Sequence, residues 1–565
     1  MSRKVNTGIV LGALLCVWSG SVNAQATPDA GSLLREHQKL ERAAQPVPVA
    51  KPEKKPAEKL EVAPAGPGDA GVNIQQVRFE GNASFVEEVL QSILAPYMGQ
   101  KYTMAGLKQL TKLIANHYRK HGMWAKVTLP AQKLGEGTLT MRIVEAHLGA
   151  VTIEHKEERL RLYSGIAQWL VRHGQPQKGL FSPEAMKKAI KTLDDVPGVT
   201  AAMVLKSGEK EGDTDVVVRM ANTPLLSGSA TLDNYGSKSS GQWRGTGAAT
   251  VDSFLGLGEQ LGLNLTRQSN TNVYTGKVSI PLRPDGARLS GSYMWMDYVV
   301  PSTVPTPAGI AESLTLTLSQ PMHLAGGQKL DGTLELSRRF FLDEIGTSVY
   351  SKRRMDSANA GLSSNWSDGW KGGGSNTLGS NLYVGKVTHS VISSTSNAPN
   401  DYAKLGVSYS RLQQVGDKSQ LWLSIKGQYA MQNLVSAEKF SLGGSSGLRA
   451  YPPGEGSGDH GVQSTVELRH PLMSKLQGFV FYDHGWIQVN HSPWANWNAG
   501  STHIGNRYYL HGVGIGVNWA LYKNVMLSSV AATRIGLNGG RDSDGNDADG
   551  KKQKLRLWTK LTMPF

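Results

Sequence analysis

From residue 224 to Phe565 the chain reads as short alternating segments separated by Gly, Ser, Asn and Asp clusters, with no helical periodicity. The last segment is the clearest. Leu555, Leu557, Thr559, Leu561, Met563 and Phe565 fall on one face of a strand, and Arg556, Trp558, Lys560, Thr562 and Pro564 on the other. An apolar face beside a polar one, closed by a terminal aromatic, suits a strand between lipid and a wet lumen. A half-buried strand of a soluble sheet also alternates, but the N-terminus favours the membrane. Arg3 and Lys4 precede the apolar run Gly8–Trp18, and Val22-Asn23-Ala24 supplies small residues for cleavage after Ala24. That run is too short for a retained anchor, and no other run reaches the ~18–20 apolar residues of a membrane helix. An exported chain of this kind enters a membrane only as a closed barrel. The segments number about sixteen, roughly 21 residues for each strand with its connection, which fits membrane strands of ~9–11 residues.

The only cysteine, Cys16, leaves with the signal, so the mature chain has no disulfide and no thiolate chemistry. The formal charge of +15 comes without a clustered basic helix or aromatic-basic motif. It reads as a dispersed basic surface or lumen, with no nucleic acid as partner.

Ahead of the barrel lie four parts. After the signal peptide (1–24), a mostly polar helix over 29–44, within the segment 25–45, carries Leu33, Leu34 and Leu40 as its few apolar residues and has little to bury. A Pro- and charge-rich linker occupies 46–71. Residues 72–147 run β-α-α-β-β: a strand at Ile74–Phe79, a helix opened by a Ser84/Glu87 capping box, a helix with Leu107, Leu110, Ile114 and Tyr118 on one face and Gly122 at its end, then two strands. Residues 148–221 repeat that order, with a helix at Glu158–His173, a second started by Ser182-Pro183, and strands at Val199–Leu205 and Thr214–Met220. A unit repeated head to tail is a strong architectural sign. The expected fold is thus α+β domains followed by an all-β, sixteen-stranded antiparallel transmembrane barrel over 222–565.

If the repeated units lie in the periplasm, connections after odd strands face outside, and residues 432–461 form the sixth and longest. This loop holds Leu448-Arg449-Ala450-Tyr451 among glycines and prolines. Strand thirteen carries Phe481-Tyr482-Asp483-His484-Gly485. Strand fourteen has Gly512, Gly514 and Gly516 on one face and Val513, Ile515, Val517 and Trp519 on the other. The apolar face should meet lipid, leaving an inward glycine wall on which the loop tip is expected to lie. The same parity turns His484 away from Asp483, toward lipid.

These residues resemble the TpsB transporters of two-partner secretion, the haemolysin-activator and filamentous-haemagglutinin transporter family, in the superfamily of BamA. The resemblance spans the mature chain. Its local matches are Asn82, Leu193–Val199, Leu232–Ser237 and Leu255–Glu259. The loop motif departs from the family's Val-Arg-Gly-Tyr at Leu448 and Ala450, and alanine disfavours positive φ. The strand-thirteen motif, Phe481, Asp483 and Gly485, matches at every fixed position. The resemblance implies POTRA domains at 72–147 and 148–221 and a sixth loop folded into the lumen, its Arg449 paired with Asp483. It also implies an outer-membrane transporter for a large secreted TpsA-type exoprotein (haemolysin, adhesin or contact-dependent toxin). The N-terminal helix would plug the lumen with that loop. Phe565 would serve as the barrel assembly signal, read by the barrel assembly machinery with periplasmic chaperones. A BamA-like assembly factor is the alternative, though such proteins carry more than two POTRA units.

Gly443–Gly447 fits the G-x-S-x-G of serine hydrolases, but no helix follows it. Arg541–Gly550 looks like a calcium loop, yet lacks the sixth-position glycine and the closing glutamate. No catalytic residue, metal site or cofactor is expected.

Overall fold

The computed structural model describes residues 28–44, 71–133, 137–155, 157–174, 180–301, 305–323, 328–391, 397–498 and 505–565. The signal peptide and nearly all of the linker lie outside the described residues.

The first domain contains β1 (Val72–Ile74), β2 (Gln76–Glu80), α2 (Glu87–Leu94), β3 (Gln100–Tyr102), α3 (Met104–Lys120), β4 (Ala125–Thr128) and β5 (Thr138–Glu145), after the N-terminal helix α1 (Ala30–Ala44). β5 lies centrally, parallel to β2 and antiparallel to β4. The strand expected over Ile74–Phe79 is split, because β1 leaves to pair with β3. The second domain repeats the topology with β6 (His147–His155), α4 (Ser164–His173), α5 (Pro183–Asp194), β7 (Val199–Ser207) and β8 (Asp213–Asn222), β8 central. α4 starts six residues later than the expected Glu158, and β6 starts at His147, one residue ahead of the expected boundary. Each domain closes its helices over one sheet face around its own apolar core.

The Ser84/Glu87 capping box does not form. Ser84 is held instead by Glu145, which accepts from its amide (2.8 Å) and its hydroxyl (2.7 Å) and from the Tyr118 hydroxyl (2.8 Å). Val86 takes the N-cap position of α2 without a side-chain bond. Local capping loses here to a buried carboxylate that joins the entry of α2, α3 and β5. Ser182 does cap α5, accepting from Ala185 at 3.3 Å.

Sixteen antiparallel strands close the barrel in sequence order. The strands run from barrel strand 1 (Leu226–Asp233) to strand 16 (Leu555–Pro564). The expected strand length is exceeded at strand 7 (Lys329–Ile345), strand 8 (Ser348–Asp368) and strand 9 (Gly374–Val391). Between strands 7 and 8 only Gly346 and Thr347 turn the chain, so pairing continues to the tip of the hairpin. The closing seam is short: strands 16 and 1 share five register pairs, against thirteen between strands 13 and 14. Phe565 ends the seam with mutual backbone bonds of 3.0 Å to Gly228.

Parity sorts the side chains as expected. Leu557 and Ile515 are each 62% exposed on the outer face, while Arg556 and Trp558 are buried inward. The second domain touches one end of the barrel, where the Tyr163 amide donates to the Gly256 carbonyl (3.0 Å) and Lys329 meets Asp195 (3.6 Å). The opposite end of the barrel is its far rim.

Replacing Glu145 by Ala leaves the Ser84 amide and the buried Tyr118 hydroxyl without their acceptor. We expect the first domain to lose about 3 kcal/mol, read as faster hydrogen exchange across α3 in the full chain while barrel amides are unchanged.

Candidate functional site

Residues 431–459 connect strand 11 (Ser419–Ala430) to strand 12 (His460–Met473) and turn back into the lumen. Their tip packs Leu442, Leu448, Ala450 and Tyr451 against Phe479, Phe481, Leu510 and Trp558, all buried. Asp483 sits on strand 13 (Leu476–Gln488), facing inward and 0% exposed. It lies five residues, about 17 Å, below the far end of its strand.

Arg449 makes a forked bond to this carboxylate: Nε to Oδ2 at 3.0 Å and Nη2 to Oδ1 at 2.9 Å. Its own amide also donates to Oδ2 (3.1 Å), and Thr465 donates to Oδ1 (2.9 Å). The remaining edge of the guanidinium reaches Glu467 (2.7 Å) on strand 12, which Arg469 shares at 2.8 Å. Below the guanidinium plane lies the Phe481 ring, 3.3 Å away. The Trp558 indole donates to the Arg449 carbonyl (2.7 Å), and the Tyr451 hydroxyl donates to the His511 carbonyl (3.1 Å). One loop residue is thus joined to strands 12, 13 and 16. A planar five-donor group suits this site, since it fills two carboxylates and stacks on an aromatic face at once.

A family of haemolysin secretion/activation proteins, ShlB/FhaC/HecB, matches residues 212–518, and a POTRA domain of ShlB type matches residues 72–146. The chain belongs to this family. It is a two-partner secretion transporter with a sixteen-stranded barrel. Among its relatives, the haem/haemopexin transporter protein HuxB of Haemophilus influenzae is 25% identical over 549 residues, covering 92% of each chain. The outer membrane transporter CdiB of Escherichia coli is 22% identical over 441 residues, 73% of this chain and 72% of that one. In fold, the solved CdiB from Escherichia coli aligns with TM-score 0.74 at 18% identity over 95% of this chain and 99% of its own. BamA from Haemophilus ducreyi aligns at 0.51 and 15%, over 87% and 100%.

In this transporter the departure at Ala450 costs nothing, because Ala450 is not among the residues at positive φ. Its methyl instead fills the dent at Gly512, where a Cβ would come within 2.6 Å of it. The expected glycine wall is only partly correct. Gly512 of strand 14 (Arg507–Ala520) receives the loop tip, but Gly514 and Gly516 are covered by the Phe481 and Phe479 rings, 2.4 and 2.2 Å from where a Cβ would stand. Inward aromatics of strand 13 lean across onto their glycine neighbours, and Phe481 then carries the Arg449 guanidinium. Gly485 lies under Leu442 and Leu448. His484 faces outward as expected, and its ring nitrogen lies 3.2 Å from that of its cross-strand partner His511.

A second anchor, missed by sequence reasoning, is Glu438 of the loop. It meets Arg339 and, at 2.7 Å, Lys404 on strand 10 (Asp401–Val415). Burial alone pushes this carboxyl up, but the two cations outweigh it and hold it at about 2.

α1 occupies the lumen beside the loop. Asp29 caps it by accepting from the Ser32 amide (2.8 Å) and also takes Arg353 of strand 8 and the Ser436 hydroxyl of the loop, each at 2.5 Å. Asp343 accepts from the Ala30 amide at 2.7 Å. Lys39 donates to the loop carbonyls of Ser441 (2.8 Å) and Gly443 (2.7 Å), and the bare Gly447 leaves it room. Contrary to the expectation of little to bury, Ala30, Leu33 and Leu34 join an apolar cluster with Met296, Phe341 and Leu434. Gly443–Gly447, the formal hydrolase match, is the part of the loop that cradles Lys39. Arg541–Gly550 lies in the strand 15–16 connection, where buried Asp547 pairs with Arg534 (2.6 Å) and Arg556 (2.9 Å).

Two outcomes follow from this geometry. Arg449→Ala strips buried Asp483 of its cation and leaves Glu467 only Arg469, and should cost ~3–5 kcal/mol. Adding Asp483→Ala should cost less than the sum of the single losses, and Arg449→Lys should fall between wild type and Arg449→Ala. The temperature at which the barrel loses its compact form on semi-native electrophoresis reads all four.

The second concerns Glu455, buried where the sixth loop meets the connection 535–554 and accepting from the Ala548 amide at 2.7 Å. Burial, with Asp547 adding to it, pushes its carboxyl up to about 7. Between the ordinary carboxyl value and about 7 the folded contact keeps a proton that the open form releases, so the contact weakens as pH rises through that window. Protection of the Ala548 amide, corrected for intrinsic exchange, should fall from pH 5 to pH 8 (the range is about that window). Glu455→Gln should remove the fall.

Proposed function

We propose that the transporter sits in the Gram-negative outer membrane, in contact with lipid, with its POTRA domains in the periplasm and its far rim outside. It takes a TpsA-type exoprotein, unfolded, from the periplasm and passes it through the lumen without ATP. The POTRA domains capture the exoprotein by adding its strand to a free sheet edge, with the groove beside α3 as a candidate. The exoprotein's class, whether haemolysin, adhesin, toxin or a haemopexin-binding protein of the kind HuxB's name suggests, is carried by the partner and not by the site. During its own assembly the chain presents Phe565 to the barrel assembly machinery after delivery by chaperones.

The observation that carries this reading is that two separate bodies, α1 and the sixth loop, fill the lumen, and that α1 can withdraw from the clamped loop. α1 and the sixth loop hold each other and the wall through polar contacts: Asp29 with Arg353 and Ser436, and Lys39 with Ser441 and Gly443. Withdrawing α1 toward the domains opens a path between the loop and the wall, at the cost of uncovering the apolar cluster around Met296 and Phe341. Arg449 keeps the loop tip on the wall as the path opens.

The short seam, with its five pairs, favours a second reading in which the barrel opens sideways like an assembly factor. Two engineered disulfides separate the two. Gly31→Cys with Ala437→Cys ties α1 to the loop, since a Cβ at position 31 would stand 3.0 Å from that of Ala437, near the ~3.8 Å of a disulfide. Leu232→Cys with Leu561→Cys ties register partners across the seam. We expect the first to stop export until reductant is added and the second to leave export intact. Export blocked by the seam bond alone would support the assembly-factor reading.

A further inference from the structure

On the outer face at the far rim, strands 10 to 14 border a groove of about 470 Å³. Its floor is Gly427, whose cross-strand neighbours are Val407 and Val462. Leu405, Tyr429 and Val462 line it with exposed apolar surface. A glycine on the lipid side of a membrane strand removes a side chain where one would otherwise face lipid, and here it makes a dent that an acyl chain can enter.

Above the apolar part the groove changes character. His460, Gln488 and Arg507 stand side by side as register partners on strands 12, 13 and 14, at the level where those strands end. Arg507 donates through Nε to Gln488 (2.8 Å) and has no carboxylate partner among the described residues. His460 accepts from the Ala430 amide at Nδ1 (3.3 Å). Its proton therefore resides on Nε2, which meets His491 Nδ1 at 3.1 Å. That bond makes Nδ1 of His491 an acceptor, and its remaining N–H is left to donate at Nε2. The nearest carboxylate, Asp459, is 0% exposed, with one oxygen on Lys439 at 3.0 Å and the other accepting from the His491 backbone amide at 2.8 Å, so its charge is already matched. The rim of the groove thus offers a guanidinium and an imidazole N–H, which is the complement of a phosphate.

We propose that this groove binds one anionic, phosphate-bearing acyl lipid of the leaflet at the far rim, whose phosphate is not masked by a cationic headgroup. The acyl chain fills the dent over Gly427, and the phosphate sits between Arg507 and His491. The proposal rests on the outer-membrane reading above. A bound lipid would span strands 10 to 14, the wall that carries Asp483 and Glu467 on its inner face.

The test uses the full chain purified from membranes in a mild detergent and titrated with lipid A, phosphatidylglycerol or phosphatidylcholine, counting bound lipid by native mass spectrometry. We expect one lipid A or phosphatidylglycerol per chain, held in preference to phosphatidylcholine. Arg507→Gln with His491→Ala should weaken it about tenfold or more, and Gly427→Leu should do so through the dent. Heat-shifted electrophoresis confirms that the variants are folded, and if Gly427→Leu is not, the double variant decides alone. Lipid bound equally by the variants, phosphatidylcholine bound as tightly, or displacement of the lipid by millimolar inorganic phosphate overturns the site. Density-gradient fractionation scores the membrane reading separately. A chain found in the outer membrane whose variants still bind lipid loses only the lipid site.

Discussion

One buried guanidinium organises the lumen. Arg449 meets Asp483 through a fork and its own amide, Glu467 through its far edge and Phe481 through its face. Removing such an ion pair from water costs several kcal/mol per charge, which is recovered only when nearly every donor is used. The site meets that demand, and it does so on a loop of glycines and prolines that has no regular structure of its own. The clamp converts a slack connection into a fixed wall against which α1 can dock.

The polar character of the closure follows from its task. α1 buries three apolar residues in a cluster shared with the wall and the loop, and Asp29 and Lys39 add polar holds on both. Such contacts exchange readily for water in a wet lumen, whereas a large apolar interface would have to be exposed before the helix could leave. Glu438, between Arg339 and Lys404, gives the loop a second attachment on strands 7 and 10. The sixth loop is therefore held at two points and α1 rests on it, which makes the helix the easier of the two to withdraw.

The barrel was legible because its period is two. Alternation at Leu555–Phe565 and at His511–Trp519 predicts which residues face lipid, and the outward turn of His484 followed from the same parity. The pairing of Arg449 with Asp483 was legible only through the motif that carries the family resemblance. Glu467 is a different case. It lies on the inward face between Val466 and Leu468, so its direction was readable, but its partner depends on the register of strands 12 and 13. Asp29 with Arg353 joins residues 324 positions apart, which no local pattern contains. The misreadings share a cause: Ser84 was drawn away from its helix by Glu145, 61 residues on, and Gly514 and Gly516 were filled by rings from the neighbouring strand. In each, a tertiary neighbour outcompeted the local rule.

The most direct test of the clamp is a distance. The sequence holds only Cys16, within the signal segment, so cysteines placed at Ser445 in the loop and Lys475 at the domain-side turn can be spin-labelled without other thiols interfering. Pulsed electron–electron resonance in outer membranes should give one narrow distance in the otherwise native chain. With Arg449→Ala, a broad distribution extending to longer distances should appear as the loop tip leaves the wall. An unchanged narrow distance in the Arg449→Ala chain would show that the apolar packing of Leu442, Leu448 and Tyr451 holds the loop without the guanidinium, and would contradict the account.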